Sequence, residues 1–249
     1  MFALLDEVLE IFPFSYLHIG GDEALKSEWK RCARCQKVMR EQKLKAEHEL
    51  QGYFLNRVID YLKAHGREAI VWNDGLCDTL SRDAICQYWT PLTKKGPGQI
   101  AQYVNAGGRA ILSPITRVYY DYPYAATPLK KTYGLPPLVR GVKKERRGDV
   151  LGVEAAIWTE WIDSEEKLFF NTLPRLAATS ETGWSAQDHK QYGAFLKRLP
   201  PHYALYERLG LTYAKNAEKP LPLHHRIKGT AQYATVETHA ELFAQQRTE

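Results

Sequence analysis

Acidic and aromatic residues recur along the sequence at a few places, each just past a short apolar run. Asp22 and Glu23 follow Leu17-His18-Ile19-Gly20-Gly21, and Trp72 and Asp74 close the run Ala69-Ile70-Val71. Trp89 ends Ile85-Cys86-Gln87-Tyr88, Tyr119 and Asp121 come after Ala110-Ile111-Leu112-Ser113, and Trp158 and Glu160 end the run that begins at Val150. An isolated Asp-Glu pair is most often the acidic start of a helix, where the dipole favours it, and a single tryptophan at a strand end is most often core. Three tryptophans with tyrosine and carboxylates between them describe an aromatic-walled polar pocket, which holds the apolar face of a sugar ring while hydrogen-bonding its hydroxyls. Retaining cleavage of a glycoside by two carboxylates needs them about 5–5.5 Å apart on opposite sides of the anomeric carbon. Neighbouring residues, with Cα atoms about 3.8 Å apart, approach from one side. Asp22 and Glu23 therefore suit a reaction whose nucleophile belongs to the substrate.

Such residues need a scaffold that gathers strand ends. Apolar positions 2, 5, 8, 9 and 12 have helical spacing, Pro13 ends the period, and Tyr16-Leu17-His18-Ile19 reads as a short buried strand. A polar helix is expected over Trp29 to Leu44. An amphipathic one is expected over Glu47 to Leu62, with Leu50, Phe54, Val58 and Tyr61 on its buried face and Gly66 as its stop. Strands follow at Ala69–Trp72, Ile85–Trp89 and Ala110–Ser113, with a helix over Ile100 to Ala106 before the last of these. The stretch from Pro114 to about Asp149 reads as a long loop, and Val150 to Trp158 as a long apolar strand. Asp163, with Glu166 three residues on, has the spacing of a capping box. The helix it opens is expected to turn Leu168, Leu173, Leu176 and Ala177 inward and to run to about Trp184, kinked at Pro174. A last helix spans about Gln187 to Leu209, and 214–249 reads as a tail or linker after a packed region of 1–213. Strand and helix alternate throughout, which implies an α/β fold with a parallel sheet covered by helices. Such folds place their functional groups just past the C-terminal ends of the strands.

His18-Ile19-Gly20-Gly21-Asp22-Glu23 strongly resembles the active-site signature of the family 20 glycoside hydrolases, the β-N-acetylhexosaminidases. The resemblance continues in order through Val71-Trp72-Asn73-Asp74, Gln87-Tyr88-Trp89, Tyr119-Tyr120-Asp121 and Trp158-Thr159-Glu160-Trp161, and into LPRLAATSETGWS at 173–185. It implies a (β/α)8 TIM-barrel type fold, here partial, with about strands 4 to 8 and their helices. It also implies substrate-assisted retaining catalysis, in which the 2-acetamido oxygen attacks its own anomeric carbon to give an oxazolinium intermediate. By that resemblance Glu23 is the general acid and then base, with a pKa tuned upward, and Asp22 orients the acetamido N–H and offsets developing positive charge. Tyr119 donates to the acetamido oxygen, and Trp72, Trp89 and Trp158 box the methyl group and ring. Asp121 and Glu160 hold hydroxyls, Asp74 lies near the pocket, and His18 is either a support for Glu23 or a core histidine.

The pattern also breaks. A complete barrel takes about 250 residues, the length of this chain, yet only about five strands can be placed. The family's hydroxyl-binding arginine, its Asp–His pair and a further tryptophan, expected between Tyr122 and Val150, have no counterpart. A five-stranded arc exposes sheet edges. The favoured expectation is a piece of a longer enzyme; the alternatives are completion by a second polypeptide or a homo-oligomer covering its own edges.

Lys and Arg number 34 against 29 Asp and Glu, a formal charge of +5, and 44% of residues are hydrophobic, the composition of an ordinary globular protein. No apolar run approaches the roughly 20 residues of a membrane span. The basic clusters at 94–95, 130–131 and 143–147 are short and lack interleaved aromatics, so nucleic acid is not an expected partner. Met1 to Phe12 carries spaced acids and no basic lead, unlike a signal peptide; any export signal would precede Met1, and the compartment stays unknown. Cys32-x-x-Cys35 is a pair of structural thiols, a local disulfide, half a metal site or a redox pair. The expected activity is release of terminal N-acetylglucosamine or N-acetylgalactosamine from a glycan, without cofactor or metal. The alternative is a non-catalytic amino-sugar-binding remnant of the fold.

Overall fold

In the computed structural model, which describes residues 1–91, 98–224 and 227–228, the chain divides into two compact units. One comprises Met1–Leu112 with Leu138–Gly152, the other Ser113–Pro137 with the chain from Val153 on.

The first unit is built on parallel strands. After helix α1 (Phe2–Ile11) come β1 (Tyr16–His18), α2 (Ser27–Arg31), α3 (Ala33–Glu41), α4 (Glu47–Ala64), β2 (Glu68–Trp72), β3 (Ile85–Tyr88), α5 (Gly98–Asn105), β4 (Arg109–Leu112) and β5 (Val150–Val153). The five strands form one sheet in chain order, a partial (β/α)-barrel type fold. The first four are joined by parallel ladders that pair His18 with Ile70, Trp72 with Gln87 and Tyr88 with Leu112. All four residues of β3 are buried, as a strand covered on both faces requires. α4 packs against β2 and buries Leu55, Val58, Ile59 and Leu62.

Several sequence expectations change here. The buried stripe of α4 is Gln51, Leu55, Val58, Ile59 and Leu62, about one residue round from the expected face, and Phe54 is half exposed. β1 is an edge strand paired on one side only, so Tyr16 lies open rather than buried. The helix expected over 29–44 is two helices, because Cys32 adopts an extended conformation between them. The strand expected over 150–158 stops at Val153, and beyond it only Ala156 bridges, in parallel, to Tyr119.

The second unit is helical around that bridge. The supposed loop after Pro114 contains α6 (Ile115–Val118) and α7 (Leu129–Tyr133), and its 143–149 part, in the first unit, ends in a 3-10 helix. α8 (Glu165–Thr172) is capped by Ser164, whose hydroxyl accepts the Lys167 amide at 3.3 Å, rather than by Asp163. The chain breaks at Leu173-Pro174, since proline cannot continue the amide ladder. It restarts as α9 (Arg175–Trp184), followed by α10 (Tyr192–Arg208). Leu129, Tyr133, Ala178, Phe195 and Leu199 form its core, while Leu176 lies outside it and exposed.

The centre of this unit is a fully buried arginine, Arg175. Its guanidinium stacks 4.2 Å from the Tyr124 ring. It donates to the carbonyls of Asn171 (2.7 Å), Tyr122 (2.8 Å), Thr127 (3.3 Å) and Tyr120 (2.7 Å). Ala214 donates to the Leu173 carbonyl at 3.0 Å and Ala217 lies against the core, so the chain stays packed past Tyr213. Most of the expected tail, and Lys94-Lys95, lie outside the described residues.

Gly108, between α5 and β4, tests this packing. An added Cβ would press into the ring of Tyr103, which is buried and whose hydroxyl is shared between the carbonyls of Ser81 (2.9 Å) and Ala84 (2.8 Å). The ring cannot step aside, and overpacking costs about 1–3 kcal/mol. Gly108→Ala is expected to lose about 2 kcal/mol in urea unfolding. Gly148→Ala, with open space around it, should change stability by less than about 0.5 kcal/mol. Equal effects at the two positions would contradict the packing described.

Candidate functional site

The residues singled out by the sequence fall into two groups, one in each unit. In the first unit the chain leaves β1 through Gly20 (φ +73°) and Gly21 (φ +100°), a conformation that favours residues without a Cβ. This turn is held from three sides. Trp72 donates to the Gly20 carbonyl at 3.0 Å, Gln51 Nε2 donates to the Gly21 carbonyl at 2.6 Å, and the Gly75 Cα approaches so closely that a Cβ would lie 3.1 Å from the Gly21 oxygen.

Glu23 follows with φ +49°, a left-handed backbone that is uncommon for a glutamate and persists only where surroundings impose it. The imposing group is Asp74. Its Oδ2 accepts the Glu23 amide at 2.7 Å, and its Oδ1 accepts the Trp89 indole N–H at 3.0 Å. Asn73, almost wholly buried, fixes the other side of this corner. Its Oδ1 accepts the amides of Trp89 (2.8 Å) and Thr90 (3.1 Å), and its Nδ2 donates to the Thr90 carbonyl (2.9 Å). Trp72 and Trp89 meet edge to face with centroids 6.4 Å apart. Both are only partly buried. Asp22 and Glu23 are exposed.

His18 joins this group. Its Nδ1 accepts the Gly20 amide at 3.1 Å and its ring packs 4.6 Å from Trp72. An accepting Nδ1 places the neutral ring's proton on Nε2. The atoms crowded around the ring push its pKa down, and the nearby Asp22 charge opposes them. His18 is exposed to solvent, which tempers the effect and sets aside the reading of a core histidine. Crowding likewise lowers the Lys26 pKa, against the pull of Asp74.

In the second unit Tyr119 and Asp121 are buried, whereas Trp158 and Glu160 are exposed. Tyr119 and Trp158 face one another at 6.1 Å. The Trp158 amide lies 3.5 Å from Asp121 Oδ1, and the Tyr120 amide donates to Ala156 at 2.8 Å. Arg175, through the carbonyls of Tyr120 and Tyr122, brackets Asp121 on both sides. Glu160 follows Trp158 by two residues in a turn.

Sequence reasoning missed the groups that do the positioning. Asn73 sits between Trp72 and Asp74 with no expected role, Gln51 is a polar residue on the buried face of α4, and Arg175 directly follows Pro174. The last two carry no periodicity signal, because a buried polar side chain looks like a solvent-facing one until its partners are known. Among the described residues no cluster of three or more His, Cys, Asp and Glu could hold a metal ion.

Residues 1–187 match the family described as glycosyl hydrolase family 20, catalytic domain. The chain is 31% identical over 251 residues to a beta-hexosaminidase of Porphyromonas gingivalis, covering 96% of this chain and 31% of that protein. It is 29% identical to a beta-N-acetylhexosaminidase of Cellulomonas fimi, over 84% of this chain and 40% of that one. Among solved structures it is similar to a GH20 exo-beta-N-acetylglucosaminidase from Vibrio harveyi in complex with N-acetylglucosamine, with TM-score 0.75, 27% identity and coverage of 88% and 35%. A chitobiase of Flavobacterium johnsoniae gives TM-score 0.75 at 32% identity, covering 87% and 32%. The chain thus spans 31–40% of the length of these relatives.

The geometry at His18 has a measurable consequence. Its imidazole should titrate, by NMR, below the ordinary 6.5. Asp22→Asn removes the opposing attraction and should move the midpoint lower still; a rise would contradict the arrangement. With a folded-state pKa below the unfolded one, the unfolded chain binds the extra proton between the two values. Stability contributed by His18 therefore rises with pH through that window and falls on acidification.

Proposed function

The chain belongs to glycosyl hydrolase family 20, and on that premise we propose that it hydrolyses terminal N-acetylglucosamine or N-acetylgalactosamine from glycans by the substrate-assisted, retaining route. The observation that carries the reading is the Asp22-Glu23 pair, set by the Gly-Gly turn with the Glu23 amide tied to Asp74. A strained backbone at an exposed acidic pair contributes nothing to stability, and strain of that kind accompanies function.

In this reading Glu23 protonates the leaving oxygen and then removes a proton from the incoming water. Asp22 accepts a hydrogen bond from the acetamido N–H, which holds the acetamido oxygen on the anomeric carbon and offsets charge as the oxazolinium forms. The reaction is intramolecular at this step, so correct orientation replaces a second carboxylate. Trp72 and Trp89 supply stacking surface. The family pattern assigns donation to the acetamido oxygen to Tyr119, stacking to Trp158, and hydroxyl recognition to Asp121 and Glu160. His18 steadies the turn through the Gly20 amide.

A second reading, amino-sugar binding without turnover, is favoured by the exposure of Asp22 and Glu23. Full hydration weakens electrostatic stabilisation relative to a site closed to water. One experiment separates the two: hydrolysis of an aryl N-acetyl-β-glucosaminide, with N-acetylglucosamine binding measured in parallel by calorimetry. Turnover that releases the β-anomer first, and falls about 10²–10⁴-fold in Glu23→Gln, supports the enzyme. Binding that Trp158→Ala weakens, with no turnover, supports the second reading. Neither binding nor turnover would overturn both.

A further inference from the structure

The cysteine pair at 32 and 35 is taken up by none of the chemistry above. All four cysteines are free thiols; Cys77 and Cys86 are buried, whereas Cys32 and Cys35 are partly exposed. Cys32 sits immediately before the first residue of α3, its backbone extended (φ −74°, ψ 113°), and its carbonyl accepts the Gln36 amide at 3.0 Å. The first turn of the helix is therefore closed, and Cys35 lies one turn along the same edge. Cα atoms three residues apart in a helix are about 5 Å apart, within the roughly 4.4–6.8 Å that a disulfide spans.

The surroundings activate one thiol over the other. Cys32 Sγ closes no capping hydrogen bond of full geometry. The neighbouring Cys35 amide and thiol, then the Arg34 amide and charge, nonetheless favour its thiolate against the cost of desolvation and hold its pKa below the usual value. The Cys35 thiol is pushed the other way, chiefly by donating to Cys32. Lys30, Arg31, Arg34 and Lys37 surround the pair in sequence. Of these, Arg31 and Lys37 share their charge with Glu28 and Glu41 only through exposed contacts of 3.7 Å, which are weak in water. Low thiol pKa beside cations at a helix start is the setting of reactive Cys-x-x-Cys pairs.

We propose that Cys32 and Cys35 form a thiol–disulfide exchange site for anionic low-molecular-weight disulfides, Cys32 attacking and Cys35 resolving. The Cys32 thiolate attacks one sulfur of the small disulfide, forming a mixed disulfide and expelling one thiolate. Cys35, giving up its proton, attacks Cys32 Sγ, closes the Cys32–Cys35 bond and expels the second thiolate. The two protein thiols lose two electrons and two protons, and the small disulfide gains them as two thiols. The chemistry uses no residue assigned to glycoside cleavage, so it stands or falls separately from that reading.

The test is incubation of the reduced full chain with glutathione disulfide, followed by acid quenching, alkylation and peptide mass analysis. The expected product is an internal Cys32–Cys35 disulfide, with Cys77 and Cys86 still reduced. Cys35→Ser should stop at a glutathione adduct on Cys32, and Cys32→Ser should react about tenfold more slowly or less. Substoichiometric iodoacetamide on the unsubstituted protein, which needs no variant to fold, should label Cys32 ahead of Cys35. Separate glutathione adducts on both thiols, a Cys32→Ser rate equal to the unsubstituted one, or preferred labelling of Cys35 would each overturn the proposal.

Discussion

A parallel ladder imposes one constraint from which much of the first unit follows. Every strand runs the same way, so every strand ends at the same edge, and that edge is the one place where side chains can converge without interrupting the amide ladder. Pairing His18 with Ile70 and Trp72 with Gln87 brings the residues after β1, β2 and β3 level with one another. Gly20, Asn73 and Trp89 then become neighbours even though they are far apart in sequence. Glycine at 21 and 75 is the condition for their backbones to approach.

Convergence alone does not fix geometry, and buried polar side chains do that work. Asn73 and Arg175 each sit where a hydrocarbon of similar size would appear to pack better. Removing Asn73 would break the three hydrogen bonds it makes to two amides and a carbonyl of the Trp89–Thr90 corner, at about 0.5–1.5 kcal/mol each. Arg175 is the stronger case. A buried, unpaired guanidinium costs several kcal/mol. Four carbonyl contacts and two tyrosine faces replace the water it loses. Burial lowers its pKa, partly countered by Tyr124, Tyr120 and Asp121, yet an arginine starts so high that it stays charged. The carbonyls it gathers lie on either side of Asp121, so the cation shapes a loop that its own helix does not contain.

The sequence made strands β2, β3 and β4 and helix α4 legible because each is a contiguous apolar run or a long periodic segment, bounded by Gly, Pro or Asn-Asp-Gly. The candidate site residues were legible because they follow those runs. What was not legible depends on partners outside the local window. The buried face of α4 is set by Gly52 and Gln51 meeting the Cys77 side chain and the Gly21 carbonyl, which hydropathy cannot anticipate. The run from Val150 to Trp158 is mostly apolar, but Gly152, Glu154, Ala155 and Ala156 are poor strand formers; continuous pairing ends at Val153, and Leu151 remains half exposed. Asp163 and Ser164 are both good caps by type, so composition does not choose between them; the residue with the extended backbone at the helix start, Ser164 (φ −152°, ψ 154°), makes the capping bond.

Asp74 shows how few contacts are needed to couple two parts of a site. Its two oxygens accept from the Glu23 amide and the Trp89 indole, so the loop bearing the acidic pair and the ring beyond β3 share one rigid intermediary. Hydrogen bonds to a charged group contribute about 1.5–3 kcal/mol. That is roughly a ten- to hundredfold preference for the joined arrangement over one in which either part moves alone, since about 1.4 kcal/mol corresponds to tenfold. Glu23's left-handed backbone draws about 1–3 kcal/mol the other way. The two magnitudes are comparable, so the amide bond to Asp74 is large enough to offset that strain. The carboxylate that follows β2 therefore ties the Glu23 backbone and the Trp89 ring to a common anchor, beside the Trp72 and Gln51 hydrogen bonds that hold the Gly-Gly turn itself.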